Sequence, residues 1–194
     1  MMRKSILVAL AAACLAALPD SRLSASTLQR LSLNDMILKS SIIVRGTIQP
    51  GTSSAFRGPL IYTHYQLAVT AVYKGTPGSS IDVAVPGGVL NAIQQPVAGA
   101  PTLTAGQDYV LFLWTSKSGL TQVIGLSQGL FNVITNAQGQ VMVSRGAAST
   151  PMVDASGQLV TDSNLQMTLA QLVSKIQSVL AGSTSGPVMG GSPQ

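Results

Sequence analysis

Gly125-Leu126-Ser127-Gln128-Gly129 has the G-x-S-x-G form in which a serine nucleophile stands on a sharp turn, between a preceding strand and a following helix. The surrounding sequence does not complete such a site. Leu130 to Thr135 alternates like a strand, so no helix N-terminus follows the serine to stabilise developing charge. The single histidine, His64, precedes Ser127, whereas an α/β-hydrolase places its histidine after the serine. The simpler expectation is a glycine-flanked bend or bulge between two strands, which glycine's freedom at positive φ permits. A hydrolase built on Ser127 stands as the alternative.

Other chemistries find even less. One histidine, with Cys14 the only cysteine, falls short of the three or four ligands a zinc site needs. On the polar side of its strand, His64 is expected at the surface. There is no glutamate, and Asp35, Asp82, Asp108, Asp154 and Asp162 are single and scattered. Two of them could meet in space as a glycosidase pair, but no spacing argues for it. Asp108 follows Ala105-Gly106-Gln107 and reads as turn chemistry before a strand. No phosphate-cradling Gly-Lys-Ser/Thr loop is present. The basic residues Arg30, Lys39, Arg45, Arg57, Lys74, Lys117, Arg145 and Lys175 are spread singly, unlike the clustered charge of a nucleic-acid groove. The expectation is therefore no catalytic, metal or cofactor-binding residue, no cofactor and no nucleic-acid partner.

Composition points the same way. Eleven Lys+Arg against six Asp+Glu leave a formal charge of +5. Only 9% of the 194 residues are charged, against about a quarter in an ordinary domain. Hydrophobic residues make up 46%, enough for a packed core. The 19 glycines and 10 prolines suit many short strands with turns.

Residues 1–26 have the form of a secretory signal peptide. Arg3 and Lys4 precede the apolar stretch Ile6 to Leu18, which is too short to span a bilayer as a helix. Pro19 ends it, and Ser24-Ala25-Ser26 places small residues for cleavage before Thr27. The expected location is the periplasm or the cell exterior. Ala11-Ala12-Ala13 ahead of Cys14 raises the alternative of lipid anchoring at Cys14, without the larger aliphatic residue usual in such a box. Cleavage would remove the only cysteine and with it any disulfide. No later apolar run reaches the length of a membrane span.

The elements that must position these residues follow from periodicity. Ser32, with Asp35 three residues on, opens a short helix. Ser41 to Ile48 predicts a strand, and residues 50–59 a Gly/Ser/Pro loop. In Leu60 to Tyr73, Ile61, Thr63, Tyr65, Leu67, Val69, Ala71 and Tyr73 share one face, leaving Tyr62 exposed on the other. Ile81 to Val85 is the next strand, and Val89 to Pro101 is extended but interrupted by proline. Tyr109 to Trp114 is apolar throughout, as in a strand covered on both faces. Leu120 to Leu126, Leu130 to Thr135 and Gln140 to Ser144 complete a meander, and residues 146–162 show no period. Leu165, Leu169, Leu172, Ile176 and Val179 follow the helical period, with Ser163 and Gln166 as a capping box. A tail over 182–194 is expected to be disordered.

Three segments together resemble a known group. Ser40-Ser41-Ile42-Ile43-Val44-Arg45-Gly46, Val69-Thr70-Ala71-Val72-Tyr73-Lys74-Gly75 and Ala105-Gly106-Gln107-Asp108-Tyr109-Val110-Leu111-Phe112-Leu113 occur in the order seen in netrin-like modules, which include tissue inhibitors of metalloproteinases. The resemblance covers roughly residues 32–114 and implies an OB-type five-stranded barrel flanked by helices. With Val85-Pro86-Gly87-Gly88 and Gly125 to Phe131, the stretch 32–135 is also similar, more closely, to exported bacterial proteins of unknown function. Those inhibitors chelate zinc through a mature N-terminal cysteine, which a chain starting at Thr27 lacks. The resemblance thus implies a fold and no functional residue.

The expected fold is mainly β: a single domain over 27–181, an OB-fold or netrin-like partly open barrel with a short N-terminal helix and a C-terminal amphipathic helix. A β-sandwich is the second choice. The expected function is that of an exported, non-enzymatic binding or interaction module for a protein, a glycan or a lipid. A structural surface or matrix component is a further alternative to the Ser127 hydrolase.

Overall fold

The computed structural model describes residues 27–184. The expected signal peptide, with Cys14, lies outside the described residues, as does 185–194 of the expected tail. A two-residue strand, β1 (Leu28–Gln29), leads into helix α1 (Leu33–Lys39). Ser32 caps α1 as expected: Ser32 Oγ accepts from the Asp35 N–H at 3.0 Å, and the Asp35 carboxylate accepts from the Ser32 N–H at 3.2 Å. Next come β2 (Ile42–Arg57), β3 (Leu60–Lys74) and β4 (Ser80–Pro86). Then follow the short β5 (Gly88–Leu90) and β6 (Ile93–Gln95), β7 (Asp108–Thr115) and β8 (Thr121–Val123). A 3₁₀ turn over Leu126–Gly129 precedes β9 (Leu130–Thr135) and β10 (Val141–Arg145). The chain ends through β11 (Met152–Val153), β12 (Leu159–Val160), β13 (Leu165–Thr168) and helix α2 (Leu169–Thr184).

The fold is mainly β, dominated by one antiparallel sheet in the order β13-β10-β9-β7-β2-β3-β4, with β8 also on β7. This sheet does not close into a barrel among the described residues: β4, at its end, is hydrogen-bonded only to β3. β5 and β6 form a separate hairpin, and β1, β11 and β12 a small second sheet.

β7 is the strand apolar on both faces, and it separates two cores. Val110 and Phe112 face a cluster with Met36 and Ile37 of α1, Ile43, Phe131, Val143, and Leu172 and Ile176 of α2. Tyr109, Leu111 and Leu113 face the opposite cluster, with Val44, Ile48, Leu67, Ile81, Val83 and Val85. Trp114 departs from the expectation of burial: it lies at the strand's end and is exposed.

Five local expectations are corrected. Residues 50–57 are strand rather than loop. A register shift between Ile48 and Thr52 absorbs Pro50 and Gly51, and pairing with β3 continues to Arg57↔Leu60. Only Gly58 (φ 59°) and Pro59 make the turn. The shared face of β3 ends at Val69. A second shift, between Arg45/Ala71 and Gly46/Val69, leaves Thr70 unpaired as a bulge, so Val69 faces one core and Tyr73 the other. Gly46 allows this close packing, since a Cβ there would collide with the Ala68 carbonyl. The last helix starts at Leu169, because Leu165 and Met167 alternate along β10 before it. Its reciprocal cap is Thr168 with Gln171 (2.9 and 3.1 Å), not Ser163 with Gln166. It also runs through Thr184, so 182–184 belong to the helix and not to a tail.

Truncating Phe112, fully buried and 5.5 Å ring-to-ring from Phe131, to Ala should cost about 3–5 kcal/mol through lost transfer energy and a cavity. Trp114→Ala on the same strand should cost far less. Urea midpoints of the two variants check the ordering, and equal midpoints would show that β7 is not the shared wall of the cores.

Candidate functional site: the Ser127 bend and its clefts

The glycine-flanked motif is the expected interruption between two strands. One edge of β7 pairs with β2. The other is shared, with Val123 of β8 opposite Leu113 and Leu130 of β9 opposite Leu111. Between those pairs the chain loops out over 125–129. Gly125 (φ 60°) and Leu126 (φ 58°) both take the left-handed conformation. Gly129 packs so tightly that a Cβ would lie 2.8 Å from Ile124 Cγ2 and 2.9 Å from the Phe112 carbonyl. The residue that does the most here is Gln128, wholly buried. It accepts from the Leu31 N–H at 2.7 Å and donates to the Gln29 carbonyl at 3.0 Å, tying down the segment before α1. Sequence reading passed over Gln128 because a G-x-S-x-G match directs attention to the serine. Ser127 itself donates its N–H to the Gly99 carbonyl at 3.2 Å.

The structure brings His64 and Asp82 together, and no hydrogen bond joins Ser127 to either among the described residues. His64 Nδ1 lies 2.8 Å from Asp82 Oδ2 across β3 and β4. Its side chain is only 15% exposed, less open than expected. Ser53 of β2 stands directly opposite His64 in register and therefore on the same face, a neighbour that no linear spacing reveals. Serine, histidine and aspartate thus line up across three strands. Ser53 is exposed, however, and makes no hydrogen bond to the ring. Tyr65, adjacent to His64 in β3, points to the opposite face and packs on the core behind it. Tyr62 is half-buried rather than exposed.

Every expected carboxylate has a different partner. Asp35 caps α1 and meets Lys39 at 3.6 Å. Asp108 Oδ2 accepts from Arg45 Nε at 2.8 Å and Nη2 at 2.6 Å, which raises the guanidinium further above its already high value. Asp154 organises the turn to Gln158. Asp162 makes a buried, two-pronged pair with Arg145 at 2.8 and 2.9 Å and also accepts from the Ala148 N–H. Burial alone would raise the Asp162 carboxyl. The guanidinium and the N–H groups of Ala148 and Ser163 outweigh it and hold the group below its ordinary value.

Two clefts flank the Gly99–Pro101 segment, and Ala100 lines both. One, of about 340 Å³, opens between Ser127, Asn132, Arg145 and the 146–150 segment. The other, of about 270 Å³, lies between Thr63 and Tyr65 on β3, Gly87 and Gly88, and Gln95 and Thr102. Gly88 lets the backbone cross here, since a Cβ would strike Thr63 Oγ1. Apart from Arg145, already paired, the lining is uncharged: hydroxyls, amides and backbone alternate with apolar side chains such as Leu130, Val85, Pro86 and Val97. Burial raises the Tyr65 phenol, which stays neutral.

The chain matches no protein-family model, and neither a curated protein nor a solved structure matches it.

Gln128→Ala should destabilise by about 1–3 kcal/mol, by stranding the Leu31 N–H and the Gln29 carbonyl. Ser127→Ala should stay within about 0.5 kcal/mol of the parent. Chemical denaturation checks both, and the reverse order would restore importance to the serine. The depressed Asp162 carboxyl adds stability that is present above about pH 3.9 and is lost as pH falls through its folded value. Asp162→Asn should cost about 3–5 kcal/mol at neutral pH, because it leaves Arg145 buried without a counter-charge. It should also flatten the acid limb of a plot of stability against pH. An unchanged acid limb would remove Asp162 from the account.

Proposed function

We propose that this chain is an exported, non-enzymatic binding module of OB-type, netrin-like architecture, and that it holds a neutral glycan in the paired clefts beside Gly99–Pro101. Strand order supports the architecture. β2, β3 and β4 form a meander, β7 returns to pair with β2, and β8 folds back on β7. β4 and β8 then send Ile81, Val83, Val85 and Val123 into one cluster, as the third and fifth strands of an OB barrel do. The segments that resemble netrin-like modules also hold one another. Arg45 bonds Asp108, and Lys74 Nζ donates to the carbonyls of Ile37 and Leu38 at 2.7 and 2.9 Å, closing the C-terminal end of α1.

The observation that carries the ligand reading is the cleft lining. An OB fold binds on its second and third strands and the loops beside them. Here Thr63 and Tyr65 on β3 and Val85 and Pro86 on β4 face such a cleft. Uncharged donors and acceptors suit a ligand that is itself rich in hydroxyl and amide groups, and the clefts offer no free ion for an anionic or cationic one. Ser127 contributes shape and a hydroxyl, not a nucleophile, since the histidine is held by Asp82 on another face.

Protein beginning at Thr27, screened on an array of neutral oligosaccharides and followed by calorimetry on the best binder, should give a saturable site. Asn132→Ala should weaken it about tenfold, near 1.4 kcal/mol, and Ala100→Tyr should abolish it while the far-UV circular dichroism is kept. An organophosphonate should leave Ser127 unlabelled. Labelling of Ser127, or an array without a single binder, would overturn this reading.

A further inference from the structure

We propose that the β2–β3 turn and the β5–β6 hairpin together form a tip that docks on an anionic lipid surface. β7 stops pairing with β2 at Thr47, yet β2 continues to Arg57. Over this stretch β3 runs eight residues, from Ala68 to Leu60, so the ladder reaches about 25 Å beyond that point. The β5–β6 hairpin lies against the end of this projection. Gln95 of β6 accepts from the Ile61 N–H at 2.6 Å and donates to the Pro59 carbonyl at 3.2 Å. The hairpin turns through Asn91 and Ala92, both left-handed (φ 50° and 63°).

The tip displays apolar side chains where a protein of this size normally puts polar ones. Phe56, Leu60, Val89 and Ile93 are each between 38% and 59% exposed. They flank the two turns: Phe56 and Leu60 stand on either side of Gly58 and Pro59, and Val89 and Ile93 on either side of Asn91 and Ala92. Apolar side chains beside the turns of a projecting end can enter a fluid interface without a matching hollow. Charge decides the kind of surface. No acidic residue occurs between Asp35 and Asp82, and no ionisable side chain of any kind from Val83 to Gln107. Arg57, between Phe56 and the turn, is the one charge at the tip. Asp82, the nearest carboxylate along the chain, is paired with His64. Leu60 beside Arg57 on one face of the turn and Phe56 on the other, with no carboxylate in the tip's own segments, fit an anionic interface.

Co-sedimentation tests this with protein beginning at Thr27 and vesicles of phosphatidylcholine, with and without phosphatidylglycerol. The parent should sediment with the anionic vesicles and several-fold less with the neutral ones. Phe56→Asp/Leu60→Asp should lose at least tenfold, and Arg57→Gln about fivefold on the anionic vesicles only. These positions are exposed, so circular dichroism and binding of a cleft ligand should be unchanged, which separates failure of the tip from failure of the clefts. A parent that sediments with neither vesicle, or a double variant that binds like the parent, would overturn the proposal. So would analytical ultracentrifugation showing a dimer that the double variant dissolves, which would assign the tip to a second copy of the chain.

Discussion

The structure depends on one strand being apolar on both sides. In β7, Val110 and Phe112 point one way and Tyr109, Leu111 and Leu113 the other. A strand with one wet face can support only one core. A strand with none must be covered twice, and the two helices and the neighbouring strands of the large sheet do so. α1 and α2 cover one side with β9 and β10, while β3 and β4 curl over the other. The edges of β7 are also fully used, by β2 on one side and by β8 and β9 in succession on the other. The handover from β8 to β9 requires the chain to leave the ladder and return. The residues at that exit are Gly125 to Gly129, so the most enzyme-like motif in the sequence follows from the need to cover this strand.

This explains what was legible in the sequence and what was not. Tyr109 to Trp114 read as a doubly covered strand because both parities are apolar, and periodicity records parity directly but not where the covering ends, at Trp114. The helix at Ser32 read well because its cap is local. The extension of β2 through 50–57 did not, because Pro50 and Gly51 are local breakers and the ladder that overrides them belongs to β3. The face change at Thr70 was hidden for the same reason: a bulge is a relation between two strands, and the alternation from Ile61 to Tyr73 continues through it unmarked. Leu165 and Met167 fit either period, and only pairing with β10 settles them. Ser53 opposite His64 is likewise a fact of register.

The charges follow the same economy. The chain has so few that nearly all the carboxylates among the described residues are needed for structure, as caps, turns or ion pairs. Asp162 is the clearest case. A buried arginine–carboxylate pair is expensive to desolvate and gains little over apolar packing, so its use is in specifying one arrangement. Here it locks the stretch from Arg145 to Asn164, which has no hydrophobic period of its own, against the end of the sheet. Arg145 is therefore both a wall of the larger polar cleft and unavailable to a ligand as a free charge.

That allocation bears on the proposed binding role more directly than any motif does. General acid–base chemistry needs titratable groups whose protonation is free to change during turnover. In this fold the Asp162 carboxyl is held toward ionisation by a buried guanidinium that would be stranded if it were protonated. The histidine is tied to Asp82 on a face separate from the clefts. What remains beside Gly99–Pro101 are groups that accept and donate hydrogen bonds without changing charge. On the proposed reading, a cleft so lined would discriminate among ligands by shape and hydroxyl pattern.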